Sequence, residues 1–159
     1  MAKFNFSNDW RARFFRYAPL FLWIGVVLFA STSEGAMQNT SRLILPLLKF
    51  LFPNTPEEIL TVYHGYIRKL AHLTEYAILA FWASRAFSTS TINLLQKYWF
   101  IFAFILVFWV ASIDEYNQSF NPLRTSSIYD VLLDTLGGTI MIIFFSIYKK
   151  VHKRKFPAY

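Results

Sequence analysis

Residues 98–118 read YWFIFAFILVFWVASIDEYNQ, sixteen positions without a formal charge that run directly into Asp114, Glu115 and Gln118. At 1.5 Å per residue the uncharged stretch makes a helix of about 24 Å, short of the ~30 Å hydrocarbon core of a bilayer. Leu94, Leu95 and the polar residues after Ile113 must therefore complete a crossing, and that carries carboxylates into the membrane. The whole chain holds 18 Phe and 5 Trp in 159 residues, and 55% of it is hydrophobic. A soluble domain of this size cannot hide so many large apolar side chains, so lipid is the expected solvent.

Working outward, three further runs read as spans. The fourth of the set lies at 128–148, preceded by Thr125-Ser126-Ser127, with Ser127 and Asp130 in the S-x-x-D arrangement of a helix start. The second lies at 66–87, ended by the polar break Ser88-Thr89-Ser90-Thr91. Thr55-Pro56-Glu57-Glu58 upstream reads as its helix start, with Thr55 as cap, Pro56 in the first helical position and Glu58 closing a capping box. The first is 17–33. Its basic approach (Lys3, Arg11, Arg13, Arg16) and small residues Ala30-Ser31-Thr32 follow the plan of a signal peptide, but Phe14 and Phe15 lengthen the run and more spans follow, so a retained signal anchor is expected.

The segment 34–65 holds LILPLLKFLF at 43–52, too short to cross and interrupted by Pro46 and Lys49. It reads as an amphipathic or re-entrant element on the outer side. The expected architecture is thus all-α: a single polytopic membrane domain over 1–159, a bundle of four transmembrane helices with one extra outer segment, tails at 1–16 and 149–159, and no internal repeat.

Lysines and arginines accumulate on the cytoplasmic side of span ends. With the N-terminus inside, eleven of the sixteen are cytoplasmic, leaving Arg42, Lys49, Arg68, Lys69 and Arg124 outside. Both termini are then cytoplasmic. The same distribution accounts for the net charge of +7 without nucleic acid, because the basic residues form no single stripe. Absence of cysteine excludes disulfides, thiolate metal sites and cysteine nucleophiles.

Chemistry concentrates in three stretches. Lys69, His72, Glu75 and Tyr76 fall within an arc of about 120° at helical spacing. Asp114, Glu115 and Gln118 follow the third span, Arg124 lies in the next loop, and Asp130 and Asp134 stand one turn apart on the fourth. By the expected topology these ten residues share one depth near the outer surface. Ionisable side chains in a membrane mark sites or pathways, although they also pair with one another merely to hold a bundle together. Gly137-Gly138 signals tight packing of the fourth span, and His64 is expected at the interface.

In that order the motifs resemble the VanZ-like family of small bacterial membrane proteins, named for a teicoplanin-resistance protein. The resemblance rests on Lys69-x-x-His72-x-x-Glu75-Tyr76, Asp114-Glu115-x-x-Gln118, Arg124, Asp130 and the glycine pair, with Ser31 and Ser33 after the first span, and it extends from Tyr17 to Tyr148. It implies a multi-pass protein of the bacterial inner membrane, linked in some members to glycopeptide tolerance.

The leading expectation is a non-enzymatic envelope protein whose outward cluster binds membrane lipid, either an anionic lipid or a lipid-linked wall precursor, with Lys69, His72 and Arg124 on phosphate. A lipid-headgroup enzyme is the alternative, with His72 or Glu75 as general base and Asp114, Glu115 and Asp130 around a divalent ion. A proton-coupled transporter ranks third, since the third span is uniformly apolar. No G-x-S-x-G, H-E-x-x-H or glycine-rich phosphate loop is present, and no cofactor or resident metal is expected.

Overall fold

A computed structural model describes residues 6–32, 37–120 and 127–155. Among them the chain forms six helices and no strand: α1 (Phe6–Ala30), α2 (Met37–Leu51), α3 (Glu57–Ser88), α4 (Asn93–Lys97), α5 (Trp99–Ser119) and α6 (Ile128–Lys155). Three of them contain segments long and apolar enough to cross a membrane, Trp10–Ala30, Trp99–Ser119 and Ile128–His152. Four had been expected. The segment 66–87 lies within α3, which at 32 residues is about 48 Å long. Arg68, Lys69, His72, Glu75 and Arg85 dilute its apolar character, so length and composition alone do not qualify it.

The third span runs on without a break through Asp114 to Ser119, as the shortness of its uncharged part required. Leu94 and Leu95 take no part in it. They belong to α4, which is set off from α5 at Tyr98. The helix start before the second span also differs from expectation. Pro56 occupies the capping position itself and no side chain caps the helix. Its carbonyl instead accepts from the N–H groups of Ile59 and Leu60, both at 3.1 Å. From there α3 continues unbroken to the polar stretch at Ser88.

α3 is the hub and packs against each of the other five helices. Its contact face is built from small residues: Ala80, Ala83, Ser84 and Ala86 are fully buried, as are Ala103 and Ala111 on α5. Small side chains let helix backbones approach closely, which is how helices associate where lipid is as apolar as they are. Gly137 and Gly138 divide this task on α6. A Cβ on Gly137 would collide with the backbone carbonyl of Leu73 on α3, and one on Gly138 would meet Val107 Cγ1 of α5 at 2.6 Å. Large apolar residues such as Phe21, Phe29, Trp109 and Phe144 point outward, more than half exposed.

α1 is held by two polar anchors, one on α3 and one just past its end. Trp23 Nε1 donates to the Glu75 carbonyl at 3.0 Å, and Tyr17 donates to Ser90 Oγ at 2.9 Å. Among the described helices α2 packs on α3 alone; it contains Pro46, and 15 residues make it about 22 Å long. His64 joins the two: it is buried, and its ring nitrogens stand 3.2 Å from the hydroxyls of Thr40 and Ser41 on α2. The exposed Lys49–Glu57 pair at 2.6 Å closes the other end and holds the Glu57 carboxyl below its ordinary range.

Candidate functional site

The inner face of α5 follows helical spacing through Ala103, Val107, Val110 and Ala111 and continues as Asp114, Glu115 and Gln118. One buried stripe thus changes from apolar to polar within a single helix. α6 repeats the pattern in reverse, with Asp130 half-buried in its first turn and Asp134 only 2% exposed, before Gly137 and Gly138 bring the backbone against its neighbours. α3 presents Tyr76, fully buried, and His72 and Glu75, half-buried, toward the same region.

Hydrogen bonds tie the three helices together there. Tyr76 donates to Asp114 Oδ2 at 2.9 Å, and Gln118 Nε2 donates to Asp114 Oδ1 at 3.0 Å. Ser31, at the end of α1, points its hydroxyl at the Asp114 backbone carbonyl, 3.5 Å away. His72 Nδ1 stands 3.7 Å from Asp134 Oδ1. Glu115 serves a different end: its Oε1 accepts the Ser127 N–H at 2.5 Å. The expected Ser127–Asp130 helix start is therefore half realised. The Ser127 hydroxyl accepts the Tyr129 N–H at 3.2 Å, but the reciprocal carboxylate comes from α5.

A cavity of about 180 Å³ opens between α3, α5 and α6, with Arg68, Lys69 and His72 on one wall and Glu115, Asp130 and Asp134 opposite. A second, of about 220 Å³, lies on the other side of α3 beneath α2 and reaches Ser31, His64, Glu75 and Asp114. Arg68 and His72 border both. Across the two cavities five carboxylates thus accompany Arg68, Lys69 and the imidazoles of His64 and His72. Carboxylates withdrawn from water need a counter-charge or a proton.

Nine of the ten residues expected to converge lie among the described residues; Arg124 lies outside them, as does Ser33. Eight gather on the two cavities or on their hydrogen bonds, and Tyr76 acts from beneath, through Asp114. Lys69 is exposed at the rim and forms no ion pair among the described residues. Of the expected ligand set Asp114, Glu115 and Asp130, only Asp114 belongs to the group whose donor atoms meet, which is His72, Asp114 and Asp134.

Arg68 was missed as a site residue. It sits one turn before His72 on the same face, and that spacing was the available signal. Ser127 was legible only as a helix cap.

Helices with outward apolar faces, packed around a buried polar cluster, define a membrane protein with an internal polar site. The VanZ/LLP1 family model matches residues 15–149, and the chain belongs to this family. No curated protein and no solved structure matches it.

Proposed function

We propose that this is a cell-envelope protein of the bacterial inner membrane that crosses four times, with both termini in the cytoplasm, and that its cavity between α3, α5 and α6 binds the phosphate of an anionic lipid or lipid-linked wall precursor. One observation carries the reading: Arg68, Lys69 and His72 line one wall of a cavity, while the opposing wall is carboxylate. Cationic donors satisfy phosphate oxygens with short, charge-assisted hydrogen bonds. A crossing by 66–87 is supported by the position of α3 at the centre of the bundle and by the distribution of Lys and Arg. On this topology the cavity faces the outer leaflet, where a wall precursor presents its headgroup. Sequestering such a lipid would alter what a glycopeptide such as teicoplanin meets there.

The test is lipid retention. Wild type and the Arg68→Ala plus Lys69→Ala double variant are purified in parallel and their bound lipids identified by mass spectrometry. Loss of phosphate-bearing lipid from the variant is the expected outcome; equal retention refutes the site.

A lipid-headgroup enzyme is the second reading, favoured by the approach of His72 to Asp134 within the same cavity. Turnover of an envelope lipid by purified protein, abolished by His72→Gln, would replace the binding function with this one.

A further inference from the structure

Two buried aspartates meet one histidine where α3, α5 and α6 come together. His72, Asp114 and Asp134 each offer one donor atom, and the three atoms lie within 4.8 Å of one another. Asp114 and Asp134 are each 2% exposed. Neither is matched by a lysine or arginine among the ion pairs of the described residues.

Asp134 is the telling member. Its Oδ1 is buried and has no hydrogen-bond partner. The nearest candidate, His72 Nδ1, is 3.7 Å away, beyond hydrogen-bond range. A His–Asp pair that merely stabilised the bundle would close to about 2.8 Å. By contrast, two ligands on one tetrahedral ion with bonds of about 2.1 Å stand about 3.4 Å apart, only a few tenths from what is found. Asp114 is prepared in the complementary way. Tyr76 and Gln118 each donate to one of its oxygens, which fixes the carboxylate plane yet leaves lone pairs directed elsewhere. Metal-ligating carboxylates are oriented by such neighbours.

We propose that His72, Asp114 and Asp134 bind one divalent cation of the Mn2+ or Zn2+ class between the two cavities, where His72 borders both, Asp134 lines the first and Asp114 the second. Charge supports the assignment: two carboxylates and a neutral imidazole are balanced by one divalent ion, whereas a protonated histidine would leave one buried negative charge. The mixed nitrogen and oxygen donors suit these ions better than Mg2+ or Ca2+, which prefer oxygen alone. Three protein ligands leave a position open toward Arg68 and Lys69, where a phosphate oxygen could complete the coordination. That last contact rests on the headgroup reading; the three protein ligands do not.

The experiment uses full-length protein in lipid nanodiscs, stripped with chelator and then titrated with Mn2+ and, separately, Zn2+. About one ion per chain is expected, with pulsed electron paramagnetic resonance of the Mn2+ form giving coupling to one imidazole nitrogen. Asp134→Asn, Asp114→Asn and His72→Gln should each weaken binding at least about tenfold. If Asp114→Asn fails to assemble, the other two, which leave the Tyr76 bond intact, decide the comparison. No binding of either ion, or occupancy unchanged in the variants, overturns the site. Lipid retention is read from the same samples. Lipid kept without bound metal removes only the metal site, and metal bound with unaltered lipid in the Arg68→Ala plus Lys69→Ala variant removes only the headgroup reading.

Discussion

Ser127, the residue before α6, donates its backbone N–H to Glu115 Oε1 on α5 at 2.5 Å. A helix N-terminus leaves several N–H groups without intrahelical partners, and here one is satisfied by a neighbouring helix instead of by the helix's own first turn. The bond therefore fixes how α6 enters the bundle, and with it where Asp130 and Asp134 fall. Glu115→Ala should leave the Ser127 N–H unsatisfied and destabilise the protein by about 1–3 kcal/mol. Glu115→Gln keeps a carbonyl acceptor and should lose about half as much or less. Unfolding monitored by circular dichroism in detergent would order the two, and equal losses would assign the effect to the carboxylate charge and not to the acceptor oxygen.

The two glycines of α6 should fail differently. Gly137 abuts the Leu73 backbone, which cannot rotate away, while Gly138 abuts the Val107 side chain, which can be shortened. Overpacking a close interface typically costs about 1–3 kcal/mol, and both Gly→Ala variants should fall in that range or above it. Val107→Ala should recover most of the loss in Gly138→Ala and little of the loss in Gly137→Ala. Two thermal-stability cycles, each pairing Val107→Ala with one of the glycine variants, measure this, because only residues in contact show non-additive effects.

Helix positions were readable in the sequence because lipid demands long apolar runs, and the onset of α5 and the polar break after Ser88 follow from that demand. What composition could not convey is the pairing of individual polar atoms. Asp114, Glu115, Asp130 and Asp134 are alike as letters, yet Glu115 caps α6, Asp114 is held by Tyr76 and Gln118, and Asp134 Oδ1 has no hydrogen bond. These differences arise from which neighbour each carboxylate meets once α3, α5 and α6 pack together. Likewise His64 carries nothing in its sequence neighbourhood to announce Thr40 and Ser41, which lie on a separate helix more than twenty residues away. The chain's own polarity also misled in one respect: the stripe that marks the site is what removes α3 from the set of plainly apolar helices.

His64 lies just before the proposed crossing at 66–87, and burial first, then the charge of Arg68, lower its pKa from the ordinary 6.5. A lowered histidine is neutral in the folded state, so its contribution is complete above the unfolded pKa and is lost as pH falls through 6.5 toward the folded value. A neutral ring has one donor and one acceptor for the two hydroxyls of α2; a protonated ring has only donors. α2 should therefore loosen from α3 as pH is taken from above 6.5 to below it. Hydrogen exchange at the amides of α2, corrected for intrinsic rates, should accelerate several-fold over that interval. In His64→Gln, which bonds without titrating, the acceleration should disappear; if it persists, another group controls α2.

Topology gives the most decisive check on where the cavity opens. Three crossings would place the two termini on opposite sides, and four place them together, so everything turns on whether α3 spans. The protein has no cysteine, which makes single substitutions clean reporters. Thr61 and Asn93 are both exposed and flank the proposed crossing of α3. Thr61→Cys should react with a membrane-impermeant maleimide in intact cells, and Asn93→Cys should react only after the membrane is opened. A cysteine in place of His152 should behave like Asn93→Cys, because an even number of crossings returns the chain to the cytoplasm. If Thr61→Cys and Asn93→Cys label alike, α3 does not cross, Arg68 and Lys69 are not delivered to the outer leaflet by a span, and a precursor lipid displayed there could not reach the cavity.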